Sequence, residues 1–342
     1  MWCYIVKLTI RSGGLLSSIQ DLGRSGWQHF GIGPGGAIDA RALQVANLLV
    51  GNEAGEAGIE MTVRGAEVNC DEDALVAVCG GEFSVRVDGQ PVPMWRPLWV
   101  ARGATIHVGY AQQGSRAYLA VSGTWRIPLL LGSKSTNLYA GFGGLSGYAL
   151  RAGDEVEIGP KTLLAERFAR NLARSASAGN VTWPSWQVSR AMYGKSVSER
   201  VIRVLPGPDS PFMTSEARQR LYNQVYLVTP AANRLGIQLQ SAPIDMVEST
   251  EPVSKPVVTG ALQRLHSGQL TVLLADRQTT GGYPVIGVVA AIDLAQLAQV
   301  RPGETLRFVP ITHERSLALR AQSQRALRQL QVALWKRLEE RR

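Results

Sequence analysis

The sequence has no run of 18 apolar residues, so no segment reads as a membrane-spanning helix. Its first ten residues, MWCYIVKLTI, lack the basic start and small-residue cleavage site of a secretory leader. Cysteine is scarce: Cys3, Cys70 and Cys79 are odd in number and not spaced as metal ligands, which argues against both a disulfide framework and a zinc knuckle. The four histidines, His29, His107, His266 and His313, stand far apart with no H-x-x-x-H pair, so a catalytic zinc site is not expected. No G-x-S-x-G nucleophile turn occurs; Gly144-Leu-Ser146-Gly147 has the wrong spacing. A reducing cytoplasm is the default location.

Charge is also low, at 18% of residues, against 45% hydrophobic ones, so the chain can bury a sizeable core. The net charge of +9 is concentrated at the C-terminus. Residues 313–342 hold eight basic side chains against three acidic ones, leaving about +4 for the body. That tail reads as an amphipathic helix, with Leu317, Leu319, Leu327, Leu330 and Leu334 among the charges. A helix packed by one face on the body is the simplest account, and without an aromatic-basic module nucleic acid is not an expected partner.

What the chain does have is glycine, 36 residues of it, with 17 prolines. Together with short alternating segments, these predict a mainly β protein with many tight turns. Three stretches share one pattern: ARGATIHV (101–108), RAGDEVEI (151–158) and RPGETLRF (301–308). Each has glycine third, for the positive φ of a turn, then a half-buried strand. Two of them precede a change in composition, which suggests two β-units closing alike. Further strands are expected at 74–79, 83–87, 97–101, 105–109, 116–121, 201–205, 224–228, 236–240, 270–275 and 285–290. Helices are few. One covers 40–50, capped by Asp39 and stopped by Gly51-Asn52; others follow Thr214 or Ser215 and Asp293. The stretch 161–200 begins helical and becomes Ser/Trp/Pro-mixed, as a connection would. The expected division is 1–160 as the first unit, 161–200 as a helical or irregular connection, 201–312 as the second unit and 313–342 as the basic C-terminal helix.

Two nucleotide-like patterns fail on context. Gly31-Ile-Gly33-Pro-Gly35-Gly36 matches G-x-G-x-x-G, but polar residues precede it and a proline sits inside the turn. Gly132-Ser-Lys134-Ser135 lacks the upstream glycine of a Walker A loop. Three polar, glycine-flanked stretches remain: 19–39, with Gln20, Asp21, Arg24 and His29; 132–144; and ADRQTTGGYP (275–284). The last joins two strands with ten residues where a hairpin needs two. Glycine turns leave backbone N–H groups free for an anion, and an arginine beside them adds a planar fork for a carboxylate. Each stretch alone could equally be a turn satisfying its own backbone.

Together, IQDLGRSGWQHFGIGPGGAIDARALQVANLLVGN (19–52), Glu60, GSKSTNLYAGFGG (132–144), VLPGP (204–208), NRLGIQL (233–239) and LLADRQTTGGYPVIG (273–287) resemble the biotin-dependent carboxyltransferase-like family. That family includes the C subunit of 5-oxoprolinase, also called allophanate hydrolase subunit 2. The resemblance covers about 5–160 and 200–310. It implies tandem cyclophilin-like β-barrel units. It implies work beside homologues of the 5-oxoprolinase A and B subunits, in ATP-dependent opening of the lactam 5-oxo-L-proline to L-glutamate. ATP would serve the complex, since no Walker A loop is present here, and the chain would be inactive alone. Under this reading, Arg277 and the Gly281 and Gly282 amides stabilise an oxyanion in a pocket between the units. Asp276 fixes Arg277; Gln278, Thr279, Thr280 and Tyr283 orient the ligand; Gln20, Asp21, Arg24 and His29 complete the wall.

The alternatives are a biotin-dependent carboxyltransferase subunit, related to urea carboxylase, and a non-enzymatic regulatory partner. Biotin enters only under the first of these, and the chain has no A-M-K-M acceptor of its own. The family's usual D-R-M-G reads Asn233-Arg234-Leu235-Gly236, its S-E-G/P-V reads Ser254-Lys255-Pro256-Val257, and its Q-V-P-P-D-G reads Gln263-Arg264-Leu265-His266-Ser267-Gly268. These departures put the substrate in question.

Overall fold

The computed structural model describes residues 5–175, 179–189, 199–247 and 253–339. The chain divides into two compact units. One comprises Met1–Gly23, Asp39–Gly194 and Ala326–Arg342; the other comprises Arg24–Ile38 and Lys195–Arg325. The glycine-rich stretch 24–38 thus leaves the unit that surrounds it in sequence and joins the other.

The first unit is a ten-stranded sheet built around one long antiparallel pair, Ala74–Val87 with Thr105–Val121. Register shifts between Gly80 and Val85 break this pair into two halves, which lets each half serve a different neighbour. The start of Thr105–Val121 pairs with Glu67–Cys70, which continues to Val6–Ser12 and Glu155–Ile158. Its end pairs with Gly58–Thr62, which continues to Leu16–Gln20. Most of these strands feed one face into an aliphatic core that includes Leu8, Ile59, Val78, Ile106 and Leu119.

Helix Ala40–Leu49 packs on the two long strands. Leu43, Ala46, Leu49 and Val50 are buried, and so are Val45 and Leu48, so the helix is covered on more than one side. Its ends follow the expected chemistry: the Asp39 side chain accepts from the Ala42 N–H at 3.0 Å, and Gly51 adopts φ +76°. Residues 161–175 supply helix Leu163–Ser175, which buries Ala165, Phe168, Ala169 and Leu172 at helical spacing. Val181–Thr182 then adds an edge strand beside Trp99 and Val100.

The second unit is a closed seven-stranded barrel. Its order is Glu199–Pro206, Val285–Val289, Ala261–Arg264, Leu270–Leu273, Gly236–Gln240, Tyr226–Val228 and Thr305–Pro310. The last strand returns to the first in a parallel pairing of six residues; the other neighbours are antiparallel. Ile202, Ile237, Leu262, Val272, Ile286 and Phe308 belong to the core of this unit. Helix Ser215–Asn223 is capped by Thr214, as expected. Asp293 precedes Leu294–Leu297 without capping it, because its carboxylate is held by Arg203 instead.

The three repeated turns behave alike. Gly103, Gly153 and Gly303 have φ of +79°, +92° and +86°, with nothing within 4 Å of an added Cβ. Each turn closes by an N–H to O bond three residues back, from Ala104, Asp154 and Glu304. Glycine is needed there for conformation, not for space. Helix His313–Glu339 is mostly exposed; Leu334 and Leu338 are buried, whereas Leu317 is 51% exposed and lies off the covered face. Among the described residues, no helix is long and apolar enough to cross a membrane, and no group of His, Cys, Asp or Glu is arranged to hold a metal.

The cap and the buried thiol can each be tested. Asp39→Ala removes a helix cap worth about 1 kcal/mol; the thermal midpoint should fall by a few degrees, and Asp39→Asn should recover most of it. Burial pushes the Cys70 thiol up to about 12. At pH 8 its thiolate fraction is then on the order of one in ten thousand, and a thiol-reactive chromophore should label Cys70 only after denaturation.

Candidate functional site

The connector 274–284 does not hang in solvent. Asp276, Arg277 and Thr279 are buried, and the stretch 24–36 packs along it within the second unit. The Gly35 N–H donates to the Ala275 carbonyl at 3.1 Å, and the Arg24 N–H closes its own loop on the Pro34 carbonyl at 2.8 Å. Gln28 works as a clamp. Its Nε2 donates to the Val257 and Thr279 carbonyls at 2.9 and 3.1 Å, and its Oε1 accepts from Arg277 Nη2 at 3.2 Å. The G-x-G-x-x-G pattern is therefore packing against a protein strand connection and not cradling a phosphate.

Asp276 is held by Arg234. The guanidinium Nε and Nη2 donate to the two carboxylate oxygens at 2.7 and 2.9 Å, with both side chains buried. Nη2 also donates to the Gly36 carbonyl at 2.8 Å, and the Asp276 N–H donates to the Arg234 carbonyl at 3.0 Å. The carboxylate expected to fix Arg277 is thus engaged by a different arginine, 42 residues earlier. With both oxygens taken by one fork, Asp276 is a positioning group, not a base.

Arg277 is the consequence. Only 5% of it is exposed, and beyond the Gln28 bond its Nε and Nη1 have no hydrogen-bond partner. Burial lowers its pKa from the ordinary guanidinium value. A buried cation with two unmet donors is costly, at about 1–3 kcal/mol per unmet group or more for a charged one. Native structures rarely keep such a group without a use for it.

One residue further on, Gln278 leans over the outer surface of the barrel. Three neighbouring strands place Gln238, Thr271 and Gln263 in register there, opposite in direction to the buried Ile237, Val272 and Leu262. A bulge at Leu262/Gln263 re-aims the last of these. Gln278 Nε2 donates to Gln263 Oε1 at 3.3 Å, and Gln263 Nε2 is buried without a partner. These side chains floor an open groove of about 210 Å³, rimmed by Asn233, Leu235 and Tyr283. Tyr283 is itself met edge-on by His266 at 5.1 Å. Gly281 belongs to a two-residue ladder with Lys255–Pro256, and a Cβ on it would come within 2.6 Å of Gln263 Nε2. Its bareness gives the amide room.

The remaining expected residues lie elsewhere or face away. His29 is exposed on a short 3-10 turn, stacked on Phe30 at 4.0 Å. Arg24 is buried near Gly35 and Asp276, as part of the packing behind the connector. Thr280 is exposed, and its pairing with Pro256 anchors the ladder. Gln20 and Asp21 belong to the first unit. There Asp21 accepts from the Gly23 and Lys134 N–H groups at 2.7 and 2.6 Å and from Ser133 and Ser135 Oγ at 2.6 and 2.5 Å. Gln20 Nε2 donates to Ser18 Oγ and the Thr136 carbonyl. The first and second polar stretches are therefore partners in one structural clasp. Gln28, Arg234, Gln238 and Gln263 were not among the expected site residues. The last two show in the sequence only as polar residues at outward strand positions.

The family model described as "carboxyltransferase domain, subdomain A and B" matches residues 30–310. The C subunit of the Escherichia coli 5-oxoprolinase is 32% identical over 324 residues, covering 94% of this chain and 97% of that protein. Its Haemophilus influenzae counterpart is 30% identical over 314 residues, covering 92% and 94%. The urea amidolyase of Saccharomyces cerevisiae is 27% identical over 338 residues, which are 95% of this chain but 18% of that one. Among solved structures, the urea carboxylase of Kluyveromyces lactis shares the fold, with a TM-score of 0.82 over 94% of this chain at 24% identity. By the extent of these matches, the chain belongs to the carboxyltransferase domain family and spans both its subdomains.

Proposed function

We propose that this chain is the ligand-binding component of an ATP-dependent 5-oxoprolinase-type assembly, in which 5-oxo-L-proline is opened to L-glutamate. The observation that carries this reading is a groove lined by three glutamine carboxamides, in which Gln263 Nε2 is unmet, with Arg277, the residue before Gln278, buried and unmet at Nε and Nη1. A lactam presents one acceptor and one donor on adjacent atoms, and a primary carboxamide presents the complement. Gln263 Nε2 donates to the lactam oxygen and so favours negative charge developing there as the ring opens. Gln278 and Gln238 offer carbonyl oxygens to the ring N–H. The Arg277 fork takes the anionic end, as a guanidinium does for a carboxylate or an acyl phosphate. In the net reaction the ring C–N bond breaks, a water oxygen joins the carbonyl carbon and protons pass to the nitrogen.

The residues here do not fit ATP. Lys134 Nζ is paired to Glu56 at 2.6 Å, and the flanking serines are held by Asp21, so that glycine-lysine stretch offers nothing to a phosphate. Nucleotide use therefore belongs to partner proteins, homologues of the 5-oxoprolinase A and B subunits, and the chain is inactive by itself.

A second reading, a carboxyltransferase component, is favoured by the family's own description and the alignment with urea amidolyase. A ureido edge has the same donor–acceptor pattern as a lactam, so the groove suits biotin or urea by the same argument. Sensitivity of the assembled activity to avidin separates the two: the lactam reading expects none.

The test is reconstitution with the two partner proteins, followed by assay of ATP-coupled glutamate release from 5-oxoproline. Arg277→Met should lower release at least a hundredfold while leaving assembly and thermal midpoint nearly unchanged. A buried cation with unmet donors costs stability, and Met removes that cost while giving up the bond to Gln28. Full turnover by this variant overturns the assignment. Gly281→Ala should displace the Gln263 amide and raise KM for the lactam, an effect absent if the groove is not the binding site.

A further inference from the structure

We propose that the first unit carries a second small-molecule site, lined by residues 168–175, residues 183–186 and Arg337, for a planar aromatic anion. It lies outside the motif blocks that carry the family resemblance and apart from the groove described above, which belongs to the other unit. The cavity measures about 400 Å³, within the range of about 300–1,000 Å³ typical of sites for small ligands.

The walls come from two consecutive pieces of chain. Helix Leu163–Ser175 turns Phe168 and Leu172 inward, because these share the face that also buries Ala165 and Ala169. The segment after strand Val181–Thr182 supplies Trp183 and Trp186, both partly exposed. The Phe168 and Trp186 rings stand 6.2 Å apart at 40°, tilted and not stacked face to face. Two guanidiniums, Arg174 and Arg337, also line the cavity, and among the described residues no acidic one does.

This segment is pinned on both sides. Arg96 donates from Nη1 to the Pro184 carbonyl at 3.1 Å and from Nη2 to Gln187 Oε1 at 3.2 Å. The Val188 N–H donates to the Trp95 carbonyl at 3.1 Å, and Thr182 pairs with Trp99. The indoles are therefore held on the sheet edge, with their positions set before any ligand arrives. Indole and phenyl faces select a flat apolar body. Arginines in a lining without carboxylates select a negative charge on it. The combination describes an aromatic carboxylate of about two fused rings.

The experiment titrates the full chain with 2-naphthoate by calorimetry, with 2-naphthalenemethanol as the neutral analogue. Sub-millimolar saturable binding of the carboxylate is expected, with the alcohol at least tenfold weaker. The double variant Arg174→Gln/Arg337→Gln should weaken 2-naphthoate at least tenfold, with circular dichroism showing that the fold is retained. Trp186→Leu should weaken both compounds alike. No saturable binding at millimolar concentration overturns the site. So does equal affinity for acid and alcohol, or affinity that survives loss of both arginines. Since Arg277→Met alters the other unit's groove, it should leave 2-naphthoate binding intact, so this result stands or falls apart from the lactam reading.

Discussion

The second unit's site depends on the buried pair of Arg234 and Asp276. Taking two charges out of water costs several kcal/mol each, and only near-ideal geometry repays it. Here the fork is bidentate, at 2.7 and 2.9 Å, and the same guanidinium also reaches the Gly36 carbonyl. Three pieces of chain distant in sequence, at residues 36, 234 and 276, thereby meet at one guanidinium. The backbone bonds of Leu274 and Asp276 to Leu235 and Arg234 fix the direction in which the connector leaves the barrel. Arg277 and Gln278 are the next two residues, so their placement follows from this pair.

A second principle sorts the polar residues. Most are consumed by the fold: Asp21 by four donors, Lys134 by Glu56, Asp293 by Arg203 and Gln28 by three bonds around the connector. Such groups are satisfied and have nothing left to offer a ligand. Arg277 and Gln263 differ, since each is buried with nitrogen donors unmet. Buried unmet donors occur elsewhere in the chain too, at Trp125 for example, but these two lie on the connector and on the strand beside it. This is why the functional reading rests on a few side chains of the connector and the adjoining strand, and not on the whole set of polar loops.

The fold was legible wherever local chemistry sets it. Alternating strands, the caps Asp39 and Thr214, and the glycine turns at 103, 153 and 303 depend on neighbours within a few residues. The connector was legible too, because ten residues, seven of them charged, polar or glycine, are more than a hairpin needs. Its partners were not. Gln28 lies 249 residues from Arg277, and Ser133 lies 112 from Asp21, separations that leave no local trace. The aim of Gln263 comes from a bulge, and a one-residue shift in register has no signature in composition. Leu317 shows the reverse case: it fits a helical apolar pattern, yet this stretch of helix leaves it uncovered.

The departures from the family pattern gain a physical meaning from these contacts. Lys255, a charge reversal, is paired to Asp209 at 2.6 and 2.5 Å, and Asp209 also accepts the Val285 N–H. It therefore tethers the short strand on which Thr280 and Gly281 pair, a scaffold role in which the sign of charge is balanced locally. Asn233 uses its Oδ1 on the Leu235 and Gly236 N–H groups, as a carboxylate would, so the turn survives the substitution. What changes is charge: with an amide at this position, the described residues of the groove lining include no ionisable acid or base except the Tyr283 phenol. A neutral, carboxamide-floored groove does not repel an anionic ligand. Any ligand charge would have to be met from outside the lining, which is the part that the proposed function gives to Arg277, adjacent in sequence to Gln278.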